Sequence, residues 1–111
     1  MRKSRNIMKR YELQIRNAVK NDIDQIKDFI VEKSSRKNAE RYAAELYAEI
    51  YSLSFLADII KVTEWKIAKK FSKSKREKMI TTHNKKWCIF FHTYRNFVIV
   101  DKILAAKLVK E

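Results

Sequence analysis

The stretch KKWCIFFHTYRNFVIVDKIL, residues 85–104, decides the fold, because it is the densest apolar part of the chain. Two runs rich in aromatic and β-branched residues, 87–91 and 97–100, are separated by a few residues that end in Asn96. This pattern is typical of two antiparallel strands joined by a tight turn. We therefore predict a β-hairpin at the centre of the fold.

The turn of this hairpin has to form without glycine, which the chain lacks entirely. Asparagine tolerates a positive φ, so we predict a two-residue turn at 95–96 in which Asn96 takes that conformation. The pairs that follow are Tyr94 with Phe97, His92 with Ile99, Phe91 with Val100, Phe90 with Asp101, Ile89 with Lys102 and Cys88 with Ile103. One hairpin face is then apolar and suits a helical layer, whereas the other carries His92, Tyr94 and Asp101.

Composition places the chain among small globular proteins. At 111 residues and 46% hydrophobic content, we expect one domain over residues 1–111, with residues 1–9 as a basic tail. No apolar run is long enough to cross a membrane, and the single cysteine cannot form an internal disulfide, so we expect a cytoplasmic location. Without glycine, the chain has neither a phosphate-binding loop nor a dinucleotide fingerprint, so we expect no cofactor.

The net charge of +13 is unevenly distributed. Residues 1–10 hold five basic and no acidic side chains, and residues 66–86 hold nine basic residues against one glutamate. Such segregation predicts an anionic partner, either a nucleic acid, an acidic protein or both. The alternative is a lysine-rich surface that is simply solvated.

The remaining periodicities give the order of the elements. Residues 11–16 alternate like a half-buried strand, and a helix capped by Asn17 should end near Lys33. Ser34 and Ser35 then supply a short connection and the cap of a second helix, so the two helices form a hairpin from about 18 to 55. Residues 56–62 are predicted to be irregular, and Thr63 is predicted to cap a short helix. After that helix we predict a basic loop over 72–78 and a strand over 79–82. Residues 105–111 are predicted to form a tail.

The fold class predicted by these elements is α+β. The order is β-α-α-β-β-β, with a small, mainly antiparallel sheet of four strands and the helical hairpin packed on one face. The side chains of Tyr47, Tyr51 and Phe55 widen the apolar side of the second helix. They either fill the core or form a groove for a partner.

Three segments carry a resemblance to a known family: RYAAELYAEIYSLSF (41–55), HNKKWCIFFHTY (83–94) and VIVDKILAAKLVKE (98–111). Together with the element order, they resemble the RelE/ParE superfamily of toxins from bacterial type II toxin–antitoxin pairs. The resemblance implies a sheet with a basic concave face opposite the helical hairpin. It also implies a small acidic antitoxin as partner, and either cleavage of mRNA on the ribosome or inhibition of DNA gyrase.

Cleavage of RNA through its 2′-hydroxyl needs a base, an acid and a cation beside the phosphorane. The catalytic candidates are His83, Lys85, Lys86, His92 and Tyr94. Candidates for nucleic-acid binding are Lys66, Lys69, Lys70, Lys73, Lys75, Arg76, Lys78, Arg95 and Lys107. For His83 the alternative is an ordinary exposed loop residue, and for His92 it is a sheet histidine that Asp101 satisfies. We predict no metal site, because the histidines and the cysteine lack zinc-ligand spacing.

Cys88 stands where the RNA-cleaving members of the resembled family usually carry arginine. A thiol cannot stabilise a phosphorane, and Cys88 is best interpreted as a small buried hydrophobic residue. Three functions therefore remain in competition: a ribosome-dependent mRNA endonuclease, which we rank first, a gyrase inhibitor, and a catalytically degenerate member that only binds antitoxin or nucleic acid.

Overall fold

The computed structural model describes residues 10–71 and 76–109. Its elements are β1 (Glu12–Ile15), α1 (Asn17–Lys33), α2 (Arg36–Leu56), β2 (Lys78–Thr81), β3 (Trp87–Tyr94) and β4 (Phe97–Ala105), with 3-10 helices at Ala57–Ile59, Lys66–Lys70 and Ala106–Leu108. The α+β class and the order β-α-α-β-β-β are confirmed. The predicted basic tail at 1–9 lies outside the described residues, as do most of the basic loop (72–75) and residues 110–111.

The sheet has four strands in the order β1-β4-β3-β2. Strands β2, β3 and β4 pair antiparallel, as predicted, whereas β1 runs parallel to β4. The parallel pair joins Glu12 to Phe97 and Ile15 to Val100. The first strand of the chain therefore lies beside the last one, which occupies the interior of the sheet.

The helical hairpin forms where the periodicity places it. α1 ends at Lys33, and Ser35 is the N-cap of α2, where its hydroxyl accepts a hydrogen bond from the Asn38 backbone N–H at 3.0 Å. The predicted cap of α1 is wrong by one residue. Arg16 occupies the N-cap position without a side-chain cap, and Asn17 is the first helical residue.

The main core lies between this helical hairpin and the sheet. Its sheet side consists of the predicted apolar face of the β-hairpin, and Ile89, Phe91, Val98 and Val100 are fully buried there. Tyr47 packs against the same core, whereas Tyr51 and Phe55 remain exposed. Within the described residues, neither helix is both long enough and apolar enough to cross a bilayer.

The β3–β4 turn and its register differ from prediction in two respects. Arg95, with a φ of 55°, takes the positive-φ position that was assigned to Asn96. The predicted pairing holds from the turn to Phe91 and Val100, where the register shifts. Beyond this point Phe90 pairs with Lys102, Ile89 with Ile103 and Cys88 with Leu104, which corrects the predicted pairs with Asp101, Lys102 and Ile103. The physical reason is a β-bulge in which Asp101 is the extra residue of β4.

A second, smaller core lies on the opposite face of the sheet. Ala68, Cys88, Phe90 and Val109 are buried in it, and Trp65, Ile67 and Phe71 pack against it. The segment over 65–71 is therefore a cover for this half of the sheet, and its lysines are exposed.

The boundaries around this cover differ slightly from prediction. The irregular segment over 56–62 contains the 3-10 helix Ala57–Ile59 and a bridge from Val62 to Lys78. Thr63 does not cap the next 3-10 helix directly, because Trp65 holds the cap position and the Thr63 hydroxyl accepts its N–H at 3.2 Å. Strand β2 begins at Lys78, which had been assigned to the loop, and ends at Thr81.

Tyr11 provides a test of the contact between the start of β1 and the end of α2. Its hydroxyl donates to Asp58 at 2.5 Å, and this hydrogen bond, followed by burial, raises the pKa of Tyr11 to about 12. Because the folded-state pKa lies above the ordinary value of 10.0, the stabilisation is complete below about pH 10 and is lost as the pH rises toward 12. We expect Tyr11→Phe to reduce this alkaline loss of stability, measured by urea unfolding across that range. Tyr94→Phe, at an exposed tyrosine, is the matched control. If the difference in free energy of unfolding between wild type and Tyr11→Phe does not change with pH, the raised pKa of Tyr11 is contradicted.

Candidate functional site

The second core occupies one half of the sheet surface opposite the helices. The other half, called the open face below, is formed by β1, β4 and the end of β3 near the turn. Leu13 and Ile15 pack against the main core, so Gln14 and Arg16 lie on the opposite side of β1 by alternation. On this side lie the exposed Gln14, Arg16 and Tyr94, the half-buried Phe97 and Ile99, and the buried His92 and Asp101.

A network of charged and polar groups is built around Asp101. One carboxylate oxygen, Oδ1, accepts a hydrogen bond from Arg16 Nε at 2.6 Å, and the other, Oδ2, lies 2.6 Å from His92 Nδ1. The Asp101 side chain is completely buried, whereas the Arg16 side chain is 52% exposed. Buried charge is tolerated when it is paired and hydrogen-bonded, so the bulge that turns Asp101 toward His92 and Arg16 has an energetic reason.

Glu77 brings a second buried carboxylate to this network. Its Oε1 lies 3.6 Å from His92 Nδ1, and its side chain is 2% exposed. Potential ligand atoms of Glu77, His92 and Asp101 fall within 4.8 Å of one another, so these residues are a candidate set for a metal. In this structure Asp101 Oδ1 accepts from Arg16 and Oδ2 lies beside His92 Nδ1, so we describe the three residues as a hydrogen-bonded network and assign no metal to them.

A separate group of polar contacts lies at the other end of β3. The Glu49 carboxylate, on α2, accepts the His83 backbone N–H at 3.1 Å and lies 3.0 Å from His83 Nδ1. The Tyr42 hydroxyl accepts hydrogen bonds from Asn84 at 3.1 Å and from the Trp87 indole at 2.9 Å. These contacts fix the β2–β3 turn to the second helix, and the His83 side chain itself remains almost fully exposed.

The catalytic candidates therefore fall into two groups. His83, Lys85 and Lys86 lie in the β2–β3 turn, whereas His92 and Tyr94 lie toward the β3–β4 turn. A strand of this length separates its ends by roughly 25 Å. Within each group the residues are neighbours, but the structure does not bring the two groups together around one reacting atom.

The nucleic-acid-binding candidates are also distributed over the surface. Lys66, Lys69, Lys70, Arg76, Arg95 and Lys107 are exposed, and Lys73 and Lys75 lie outside the described residues. Lys78 differs from the rest, because its ammonium group donates to the Ala57 carbonyl oxygen at 2.6 Å. Burial lowers the pKa of Lys78. Of the two smaller contributions, that of the Asp58 carboxylate raises this pKa and that of the Arg76 guanidinium lowers it. This lysine joins β2 to the end of α2.

Cys88 is buried in the second core beneath the cover of residues 65–71. Its thiol lies 3.8 Å from the Thr81 hydroxyl, and its residue exposure is 4%. The interpretation as a small buried hydrophobic residue is confirmed. Any side chain at this position would lie beneath residues 65–71.

Sequence reasoning missed Arg16 and Glu77 as members of the network. The alternation over 11–16 predicts only that Arg16 ends a strand, and the composition of 72–78 predicts only that Glu77 is the one acid in a basic loop. The alternation in 11–16 could have placed Arg16 on the polar side of the sheet, but only the pairing of β1 with β4 brings it to Asp101.

The described elements define a small α+β fold with a helical layer on one side of a mixed sheet. Among solved structures, a chain described as "Chromosomal ParDE TA system from P. aeruginosa" has a similar fold, with a TM-score of 0.70 and 14% sequence identity. The match covers 86% of this chain and 95% of that chain. No family model matches the sequence, and no curated protein matches it. The likeness is therefore one of fold, and it extends over nearly the whole of the ParDE chain.

Proposed function

We propose that this chain is the toxin of a type II toxin–antitoxin pair and that it inhibits bacterial growth from the cytoplasm. The observation that carries the proposal is its fold, which is similar to that of a chain from a ParDE system over most of both chains. The net charge of +13 agrees with it, because such a charge on a small domain favours a tightly held anionic partner.

The proposed partner is an acidic antitoxin that covers part of the helical hairpin and the basic surface. The helices and the turn after them leave several large apolar side chains exposed: Phe29, Tyr51, Phe55 and Ile59, at 60%, 56%, 45% and 67%. Lys33 lies 5.7 Å from the centroid of the Phe29 ring and Arg10 lies 4.7 Å from that of Phe55. Apolar side chains beside basic ones suit a partner that supplies both an apolar stripe and carboxylates.

For the mode of action, we propose inhibition by binding, with DNA gyrase as the target. Cleavage would need a base, an acid and a phosphate-binding cation around one phosphorus atom. Among the described residues, the candidates for those roles are divided between the two ends of β3, and Cys88 is buried beneath the cover. A protein that acts by binding needs an exposed surface and no such assembly.

An mRNA endonuclease is the second candidate, and one observation favours it. His92 and Tyr94 share the open face with Arg16, and Asp101 holds the His92 imidazole in a fixed orientation. An imidazole oriented by a carboxylate is a recurring element of acid–base catalysis. In this alternative His92 and Tyr94 act directly on RNA, and Lys85 and Lys86 contact its backbone.

Induction of the isolated chain in a bacterium tests the proposal. We expect growth arrest with blocked DNA supercoiling, induction of the DNA-damage response and intact mRNA, and relief of the arrest when the acidic protein encoded beside the toxin is co-expressed. His92→Ala and the double variant Lys85→Ala/Lys86→Ala should still arrest growth. Cleaved mRNA that disappears in His92→Ala would instead establish the endonuclease, and normal growth on induction would reject the toxin function.

A further inference from the structure

Arg16 combines an exposed cationic group with a buried anchor. We propose that it binds a backbone phosphate of single-stranded nucleic acid on the open face. This inference rests on the proposed function, because a growth inhibitor directed at gyrase on DNA, or at the ribosome, meets nucleic acid at its target. It adds Arg16, a residue that the proposed function does not name.

The geometry of the Arg16 side chain is the first argument. Its Nε atom donates to Asp101 Oδ1 at 2.6 Å, and Asp101 is in turn fixed by His92 at 2.6 Å. The inner edge of the guanidinium is therefore held, while half of the side chain stays accessible. Within the described residues, its two terminal nitrogen atoms make no hydrogen bond, and they remain available to a ligand.

The chemistry of the guanidinium identifies the ligand. Its planar fork of donors matches two oxygen atoms of one phosphate or carboxylate, and the match is bidentate. An arginine that is already held in place loses less conformational freedom when it binds than a free surface lysine does. Arg16 differs in this respect from Lys66, Lys69 and Lys70, for which the described residues provide no such anchor.

The rest of the open face favours a nucleic acid over an isolated phosphate. Tyr94 is 56% exposed at the turn, and the Arg95 guanidinium lies 5.3 Å from the centroid of its ring. Exposed aromatic rings beside arginine are platforms on which unpaired bases stack. Because Glu12 pairs with Phe97 and Phe97 pairs with Tyr94, the offset between Tyr94 and Arg16 along the strands is about 13 Å. A short single strand can cover that distance with a base on Tyr94 and a phosphate on Arg16.

The test is a fluorescence-anisotropy titration of the purified full chain with a short unstructured RNA and with DNA of the same sequence. We expect Arg16→Gln and Arg16→Lys each to weaken binding roughly tenfold, because lysine keeps the charge and loses the fork. The matched control is Arg41→Gln, which removes an exposed arginine of α2 that donates a hydrogen bond to Asn38 at 3.1 Å. It should change affinity less than about twofold.

The variant Asp101→Ala tests whether nucleic-acid binding depends on the hydrogen bond that holds Arg16 in place or only on the net charge of the chain. Loss of a negative charge alone would tighten binding to an anion, whereas loss of the anchor should weaken it. If Asp101→Ala fails to fold, the substitutions at Arg16 still decide the question. Arg16→Lys with wild-type affinity, an equal loss in Arg41→Gln, or a wild-type chain that binds neither RNA nor DNA would each overturn the inference.

Two further readouts complete the experiment. The RNA and DNA arms identify which nucleic acid the open face prefers. Because both carry the same phosphate, Arg16→Gln should weaken binding to whichever of them binds. Growth arrest is scored separately on the same variants. If the chain binds nucleic acid through Arg16 but does not arrest growth, the inference stands and the toxin function is rejected. If the chain arrests growth but does not bind nucleic acid through Arg16, the toxin function stands and the inference is rejected.

Discussion

Replacement of Phe91 by alanine is expected to lower the free energy of unfolding by about 3–5 kcal/mol. Phe91 is fully buried in the main core and belongs to the strand that pairs with both β2 and β4. Its removal leaves a cavity between the helical hairpin and the sheet, and the surrounding backbone is held on both sides of the strand. A domain of this size has a total stability of roughly 5–15 kcal/mol, so this variant should be close to the limit of folding.

Urea unfolding followed by circular dichroism measures this effect. The matched control is Phe29→Ala, which makes the same chemical change at a side chain that is 60% exposed on α1. We expect the control to lose less than about 1 kcal/mol. Similar losses in the two variants would show that Phe91 does not sit in the tightly packed interior described above.

Replacement of Asp101 by alanine is the second large effect, with an expected loss of about 3 kcal/mol. The carboxylate is completely buried and satisfies His92 and Arg16 at 2.6 Å each. Its removal leaves the His92 imidazole, which is 10% exposed, beside the Glu77 carboxylate without its closest partner. The penalty for a buried group that has lost its partner exceeds the gain that the pair itself contributes.

The same unfolding experiment includes Asp22→Ala as the control. Asp22 also forms an ion pair, with Lys102 at 3.1 Å, but both side chains are about one-third exposed. An ion pair at this exposure is worth less than about 1 kcal/mol. If the two aspartate variants lose the same stability, burial does not distinguish the Asp101 network from an ordinary surface pair.

Local patterns were sufficient to predict most of the fold. Helical periodicity and the hydroxyl of Ser35 predict a helical hairpin at about 18 to 55, and the structure has it at 17–33 and 36–56. Alternation around the β3–β4 turn predicts that Tyr94 pairs with Phe97 and His92 with Ile99, and both pairs are confirmed. These features depend on residues that are close in sequence, and their signals do not need the rest of the chain.

Other features depend on contacts between distant residues and were missed for that reason. The β-bulge shifts the register next to Asp101, whose partner Arg16 is 85 residues away. No pattern in 97–105 reports that interaction. The turn is a smaller case of the same kind. Residue preference predicts the positive φ at Asn96, whereas the geometry of the turn places it at Arg95.

The parallel pairing of β1 with β4 has a consequence for the order of events during synthesis. Strand β1 is made well before its partner, which begins at Phe97. A ribosome that adds 5–20 residues per second needs roughly 4–17 seconds to make the intervening segment. The helical hairpin can form during that time from local contacts, whereas the sheet cannot close until β4 has been released. The complete surface, including Arg16 held by Asp101, therefore exists only after β4 has left the ribosome, and until then β1 is a strand without its partner.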